Sequence, residues 1–383
     1  MLKPFHALLP ERNKAHLVPS RSLETYDRNQ LFDKLENNPY SFLQIIRPEM
    51  EVLLSNEDRF HRIRERLDDF IEKGIFCEDP QHSYYLYEQS KNGRLYTGII
   101  GLLDVNKTKV YLHENTLATR EALFSEYLIT TGFQAEPVLM FGPSNKERKE
   151  LLTAVKERAP EVDFFTTDHT GHRMWHISGV ECAMIEDTFS EDDSFFLADG
   201  HHRFGSTKRV ANELSDNRAA QSILAMFMDE EEIGIESFER WVTKVNLPTL
   251  KAIEQTFEVV QKQRDFEEVE GDLEMFLNGT WYVLRAKQEI DRELPPSYLF
   301  DLFLHPILGL QDAKTDRRII YVQQCAEDQS KRMVEAGAHI GFRLPPVGVE
   351  VLKKTASIGG VMPPKSTYIE PKLRSGMVLH VFK

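Results

Sequence analysis

The chain has 383 residues, 41% of them hydrophobic and 28% charged, with a formal net charge of −14 at neutral pH. At about 100–200 residues per domain, that length suits two or three domains, each able to bury a core. The negative charge opposes nucleic acid and anionic lipid at long range. No basic patch stands out along the chain to offset it, so a nucleic-acid function is disfavoured, while small anionic ligands remain open.

Cys77, Cys182 and Cys325 are far apart and none sits in a C-x-x-C pair. This argues against a disulfide framework or a zinc knuckle and fits a reducing compartment. No stretch approaches about 18 apolar residues and Met1 opens no apolar leader, so no membrane segment is expected and a cytoplasmic location is.

In chain order, residues 1–50 read as an irregular arm with a short helix over 28–36. Phe60, Ile63, Leu67, Phe70 and Ile71 recur at helical spacing and predict an amphipathic helix over 57–73, closed by Gly74. Two β-prone runs, 84–87 and 95–103, flank Asn92-Gly93 and predict a hairpin. A helix is expected over 151–158, and strands over 163–166 and 173–177, joined at Asp168-His169-Thr170-Gly171.

Further on, strands are expected at 221–228, 238–245, 281–285, 319–322, 339–344 and 378–382. Helices are expected at 249–257, 326–336 and 347–355, with a Glu-rich polar stretch after the first and an apolar helix or pair of turns at 297–308. Trp175, Trp241 and Trp281 are expected in cores. The mixed order predicts an α+β fold, divided near residue 216 into a portion 1–215 and a C-terminal portion 216–383.

The most informative stretch is Ala198-Asp199-Gly200-His201-His202-Arg203, between a short apolar strand at 194–198 and a helix over 201–214. Gly200 permits a tight turn and close approach of a ligand. The first N–H groups of a helix lack internal partners and carry the positive end of its dipole, which favours phosphate or carboxylate. His201, His202 and Arg203 add three potential cations where acidic residues are usual, a local conflict that marks a functional site. The plainer alternative is that Asp199 caps the helix and pairs with His201 or Arg203.

Two further segments carry donors and acids. His113-Glu114-Asn115-Thr116 follows a strand-like run at 108–112, and a His-Glu pair there suits acid–base work. Its spacing is not that of a zinc protease, and the plainer alternative is a helix start, with Thr116 or Asn115 capping a helix over 119–129. Met362-Pro363-Pro364-Lys365-Ser366-Thr367-Tyr368 and Glu370-Pro371-Lys372-Leu373-Arg374-Ser375-Gly376 concentrate anion-binding donors in an acidic protein. They could close over a phosphate from a second side, or form a C-terminal loop held by ion pairs.

Taken together, these motifs resemble those of the uncharacterised family called domain of unknown function one-thousand-and-fifteen. Asn38-Pro39-Tyr40-Ser41-Phe42-Leu43, Arg47-Pro48-Glu49 and Lys314-Thr315-Asp316-Arg317-Arg318 look like further segments of it. The resemblance spans nearly the whole chain. The region where the family pattern would read Pro-Tyr-Asp-Val instead reads Pro19-Ser20-Arg21-Ser22-Leu23-Glu24-Thr25-Tyr26-Asp27.

The central turn is similar to the phosphate-binding turn of the ParB/sulfiredoxin superfamily. That implies a ParB/sulfiredoxin-like phosphate-binding core with an additional C-terminal α/β portion. Sulfiredoxin carries a nucleophilic cysteine where this chain has His201, and ParB a Glu-Arg-Arg run with a basic helix pair. Archaeal free-serine kinases keep a Gly-His-His-Arg-like turn, which matches best.

The resemblance therefore implies an enzyme, a nucleotide-dependent phosphotransferase acting on a small hydroxyl compound such as free L-serine. It implies ATP or ADP with Mg²⁺, and leaves a homodimer open. Asp199, Gly200, His201, His202, Arg203, Lys365, Ser366 and Thr367 would hold phosphate or nucleotide. Glu114, His202 and Arg203 would be catalytic, with Glu114 as base. His113, Thr116 and Arg374 would face the substrate, and Asp199 would be an outer-sphere partner of the metal. The alternatives are a nucleotide-binding switch without catalysis, or a ParB-like regulator.

Overall fold

Strand Ser222–Asp229 shows how far the first half of the chain extends. It lies inside a sheet, antiparallel to Arg94–Asp104 on one side and parallel to Val138–Gly142 on the other. A computed structural model describes residues 1–47, 54–190, 193–262, 272–323 and 329–383. Pro48, Glu49, Cys325, the start of the helix expected over 326–336 and most of the Glu-rich stretch lie outside the described residues. The chain forms two units, one of residues 1–233 with 371–383 and the other of 234–370. The division comes later than residue 216 because residues 214–221 only turn the chain from a helix into that inner strand.

The sheet of the first unit has nine strands. Eight run in the order Val110–Tyr111, Phe195–Asp199, Val138–Gly142, Ser222–Asp229, Arg94–Asp104, Ser83–Lys91, Gly171–Ser178, Val162–Phe165, and Leu2–Lys3 also pairs with Arg94–Asp104. The inner strands are continuous apolar runs because both faces are covered. Phe195, Leu197, Met140 and Ala225 share a core with Val155 from helix Lys146–Lys156, Cys182 and Ile185 from Val180–Asp187, and Phe204 and Ala211 from His201–Glu213.

Asn92 (φ 51°) and Gly93 (φ 76°) make the hairpin turn the sequence predicts, since both central residues sit in the left-handed region. Helix Asn56–Glu72 buries Phe60, Ile63, Leu67 and Phe70 against Leu8, Val18, Phe42 and Leu379, so the irregular arm is anchored by ordinary apolar packing.

The second unit is built on an antiparallel sheet in the order Phe257–Gln261, Thr280–Ala286, Leu273–Leu277, Ala338–Arg343, Phe238–Thr243, Ile319–Gln323. Its core joins Val242, Phe257, Met275, Leu284 and Phe342 to Leu299, Phe303 and Leu304 from the helical turns at Pro295–Leu299 and Phe300–Leu304. The chain enters and leaves this unit through a two-stranded antiparallel ribbon, Gly234–Glu236 with Tyr368–Glu370. The fold is therefore mixed α+β, as expected. Trp175, Trp241 and Trp281 are all buried. Among the described residues no helix is long and apolar enough to cross a membrane.

Candidate functional site

The apolar strand Phe195–Asp199 ends on Asp199, and helix His201–Glu213 begins after a single residue. That residue, Gly200, has φ 99°, and a Cβ there would fall 2.7 Å from Val138 Cγ1. Only glycine fits this conformation and this approach without strain. No side chain caps the helix and its first turn holds no acidic residue. Its leading amides thus have no side-chain acceptor among the described residues, at the positive end of the dipole.

The three basic residues of the turn behave differently from three exposed cations. His201 is buried, and its ring stands edge-on to that of His113, centroids 4.5 Å apart. Burial, and then the neighbouring His113, push the His201 imidazole down to about 3. Burial likewise takes His113 down to about 4, against a hydrogen bond to the Leu197 backbone and the attraction of Asp199. Both rings are neutral at pH 7 because an imidazolium would have to be stripped of water to sit there.

Neutral rings need partners as well, and these lack them. Among the described residues His113 Nδ1, His201 Nε2 and His202 Nδ1 are buried with no hydrogen-bond partner. Unmatched buried polar atoms are costly, and three at one helix tip point to a ligand that supplies the missing bonds.

Arg203 does not offer its guanidinium to solvent as the sequence suggested. Nη1 donates to the carbonyls of Glu136 (3.0 Å) and Pro137 (2.7 Å) and pairs with Glu136 Oε1 at 3.0 Å. Nη2 donates to Asp199 Oδ2 at 3.0 Å. The plainer alternative, an Asp199–Arg203 pair, is therefore present, and Arg203 braces the turn. Lys372 Nζ donates to the other oxygen of Asp199 at 2.9 Å. Burial would raise the Asp199 carboxyl, but Lys372 and Arg203 outweigh it and hold it below the usual range.

Glu114 is exposed and its Oε2 lies 3.8 Å from His201 Nδ1, so the structure does bring the His-Glu element to the turn. Thr116 points elsewhere, donating to Glu121 Oε1 at 2.5 Å. Glu121 packs against the tip helix at Gly205, where an added Cβ would fall 2.1 Å from its Oε1. Helix Ala118–Thr131 starts after Leu117 without a side-chain cap, so neither Asn115 nor Thr116 caps it.

The C-terminal segment divides between the two units. Pro371–Lys383 belongs to the first, where Ser375 Oγ donates to Glu136 Oε2 at 2.8 Å and Arg374 Nη2 to Asp168 Oδ2 at 2.6 Å. Arg374 is buried and its Nε has no partner among the described residues. Lys365, Ser366 and Thr367 belong to the second unit. There Lys365 adopts φ 54°, its carbonyl accepts from Arg240 Nη2 at 2.8 Å, and Ser366 Oγ donates to Pro363 O at 2.7 Å.

No sequence motif flags Glu136 or Glu121, which lie in an inter-strand loop and in the first turn of helix Ala118–Thr131 and act across long separations. Among the described residues no group of three or more His, Cys, Asp or Glu could hold a metal ion. With both oxygens of Asp199 already engaged, a magnesium ion would have to be carried by a ligand's own phosphates and water.

A family model described as a protein of unknown function, DUF1015, matches residues 2–309. Among curated proteins none matches the chain. Among solved structures it is similar to a free serine kinase mutant in complex with ADP, at 11% identity and a TM-score of 0.37, covering 74% of this chain and 92% of that one. It is also similar to SbnI with a C-terminal truncation from Staphylococcus aureus, at 11% identity and a TM-score of 0.39, covering 71% and 82%. A conserved hypothetical protein from Pyrococcus furiosus aligns at 13% identity and a TM-score of 0.33, covering 70% and 90%.

Proposed function

The chain belongs to the DUF1015 family, whose description assigns no activity, and we propose that it is a nucleotide-dependent phosphotransferase with a ParB/sulfiredoxin-like phosphate site at Gly200–Arg203. One observation carries this reading: an uncapped helix tip ringed by buried imidazole nitrogens without partners. A phosphate brings oxygens that accept from the leading amides and from an imidazole N–H. Its charge also favours protonation of His201, turning a neutral donor into a cationic one.

On this reading the amides after Gly200, with His201 and His202, hold the transferred phosphoryl group of ATP or ADP. Arg203 and Asp199 fix the turn, and Lys372 sets Asp199 from the other side. Magnesium, when bound, neutralises phosphate charge. Glu114, exposed beside His201, takes the proton of the acceptor hydroxyl as that oxygen bonds to phosphorus and the nucleotide leaves. The acceptor is a small alcohol, and free L-serine is the first to test because the Gly-His-His-Arg turn resembles that of free-serine kinases.

Isothermal titration with ADP and ATP, beside phosphorus NMR of mixtures containing L-serine and magnesium, tests both halves. Nucleotide binding with a new phosphomonoester signal is expected, and Glu114→Gln should keep the binding while losing the signal. Binding without turnover across small alcohols would leave a non-catalytic nucleotide switch. No binding of either nucleotide would end the reading.

A further inference from the structure

Strand Val138–Gly142 has two ends, and the tip occupies one of them. Asp199 stands beside Leu139, whereas Asp229 stands beside Gly142. At the Gly142 end a cavity of about 180 Å³ opens between helix Lys146–Lys156 and strands Arg94–Asp104 and Ser222–Asp229. Ile99, Leu152 and Phe227 supply apolar lining.

Two ion pairs stand at this cavity. Arg148 is buried and donates to Asp229 Oδ1 from Nε (3.0 Å) and Nη2 (2.5 Å), and to the carbonyls of Pro143 (2.8 Å) and Thr188 (3.2 Å). Lys156 Nζ donates to Glu88 Oε2 and Thr97 Oγ1, each at 2.7 Å. Each pair leaves one polar group over. An ammonium has three N–H bonds and Lys156 uses two. Asp229 receives both Arg148 bonds on one oxygen, and among the described residues Oδ2 has no hydrogen-bond partner.

We propose that this cavity binds a small zwitterion, a free α-amino acid. Its carboxylate takes the remaining N–H of Lys156, its ammonium faces Asp229 Oδ2, and its side chain lies on Ile99, Leu152 and Phe227. The charge balance argues for this class. Lys149 at the rim is also paired, with Glu231, so an incoming phosphate would have to compete with a carboxylate for each cation. A ligand carrying both signs breaks no pair: its carboxylate meets the spare donor, and its ammonium meets Asp229 Oδ2 with the carboxylate of Glu232, which also lines the cavity. The volume is that of about six water molecules, at about 30 Å³ each, which suits an amino acid. This inference is independent of the phosphotransferase reading.

The test is isothermal titration of the full chain with L-alanine, L-valine and L-leucine, which carry no hydroxyl and so cannot serve as acceptors at the tip. Thr153 lines the cavity from the exposed side of its helix. In Thr153→Trp an indole fills the space without removing either ion pair. Saturable binding of at least one amino acid is expected, weakened at least roughly tenfold in Thr153→Trp and unchanged in His202→Ala. No saturable binding in the parent overturns the proposal, as does binding that survives in a folded Thr153→Trp variant. Should that variant not fold, Lys156→Gln keeps a hydrogen bond to Glu88 and loses the charge. Binding weakened several-fold is then expected, and unaltered binding overturns the proposal.

Discussion

The two ends of strand Val138–Gly142 solve the problem of buried polar groups in opposite ways. At the Gly142 end Arg148 lies between the rings of Phe189 and Phe227, 4.7 and 4.8 Å from their centroids, with Asp229 and two carbonyls to satisfy it. At the Leu139 end three buried imidazole nitrogens have no partner among the described residues, although Asp199, Arg203, Glu136 and Lys372 beside them are paired. At the first end paired charges hold the structure and leave only a single donor and acceptor over, whereas at the second whole ring nitrogens wait for a ligand.

The largest expected effect tests the ion-paired end. Arg148→Ala leaves Asp229 buried and unpaired, and should cost about 3–5 kcal/mol in denaturant unfolding. A loss below about 1 kcal/mol would show that the pair is not a structural anchor and would remove the contrast.

Next comes pH. The folded values of His201 (about 3) and His113 (about 4) lie below the ordinary 6.5, so between those values the unfolded chain binds more protons. Their contribution is full above pH 6.5 and is lost as pH falls through 4 and 3. His172 (about 3) and His380 (about 4), both buried, act with the same sign. Stability should therefore drop by on the order of a few kcal/mol on acidification. His201→Gln should flatten that limb, and melting curves from pH 7 to 4 would show it. An unchanged slope would mean that His201 already has a partner in solution.

A smaller effect concerns binding. His202→Ala should weaken nucleotide binding roughly tenfold, about the worth of one hydrogen bond to a charged group. Arg148→Lys should leave nucleotide affinity alone. Equal losses in both would merge the two ends into one site. Smallest of all, Lys372→Met removes a half-exposed ion pair, and should change the unfolding free energy by no more than about 1 kcal/mol while shifting the Asp199 carboxyl upward in NMR titration.

How much of this was legible in the sequence follows from the range of the interactions. The Asn92-Gly93 hairpin, helix Asn56–Glu72 and the strand–turn–helix at Gly200 rest on local rules of turn chemistry and periodicity, and each is found where those rules put it. Strand Val138–Gly142 was not anticipated. It is five residues between Pro137 and Pro143, too short for a periodic signal, yet it lies inside the sheet with a strand on either side.

The turn itself was placed correctly, but the state of its charges was not. Burial neutralises His201, and Glu136 and Asp199 engage Arg203, which no count of basic residues reveals. Glu136 and Ser375, bonded to each other, are 239 positions apart, and a pairing of that span leaves no trace in a window of sequence.

The paired ribbon of Gly234–Glu236 with Tyr368–Glu370 means that the second unit is nested inside the first rather than appended to it. Its two attachment points are neighbours, so excising it and joining residues 233 and 371 through a short turn should leave a self-sufficient piece that still holds the helix tip, Glu136 and Lys372. An amide spectrum of that shortened protein, with the first unit's dispersed peaks retained, would show that evolution could add or exchange the insert without rebuilding its host.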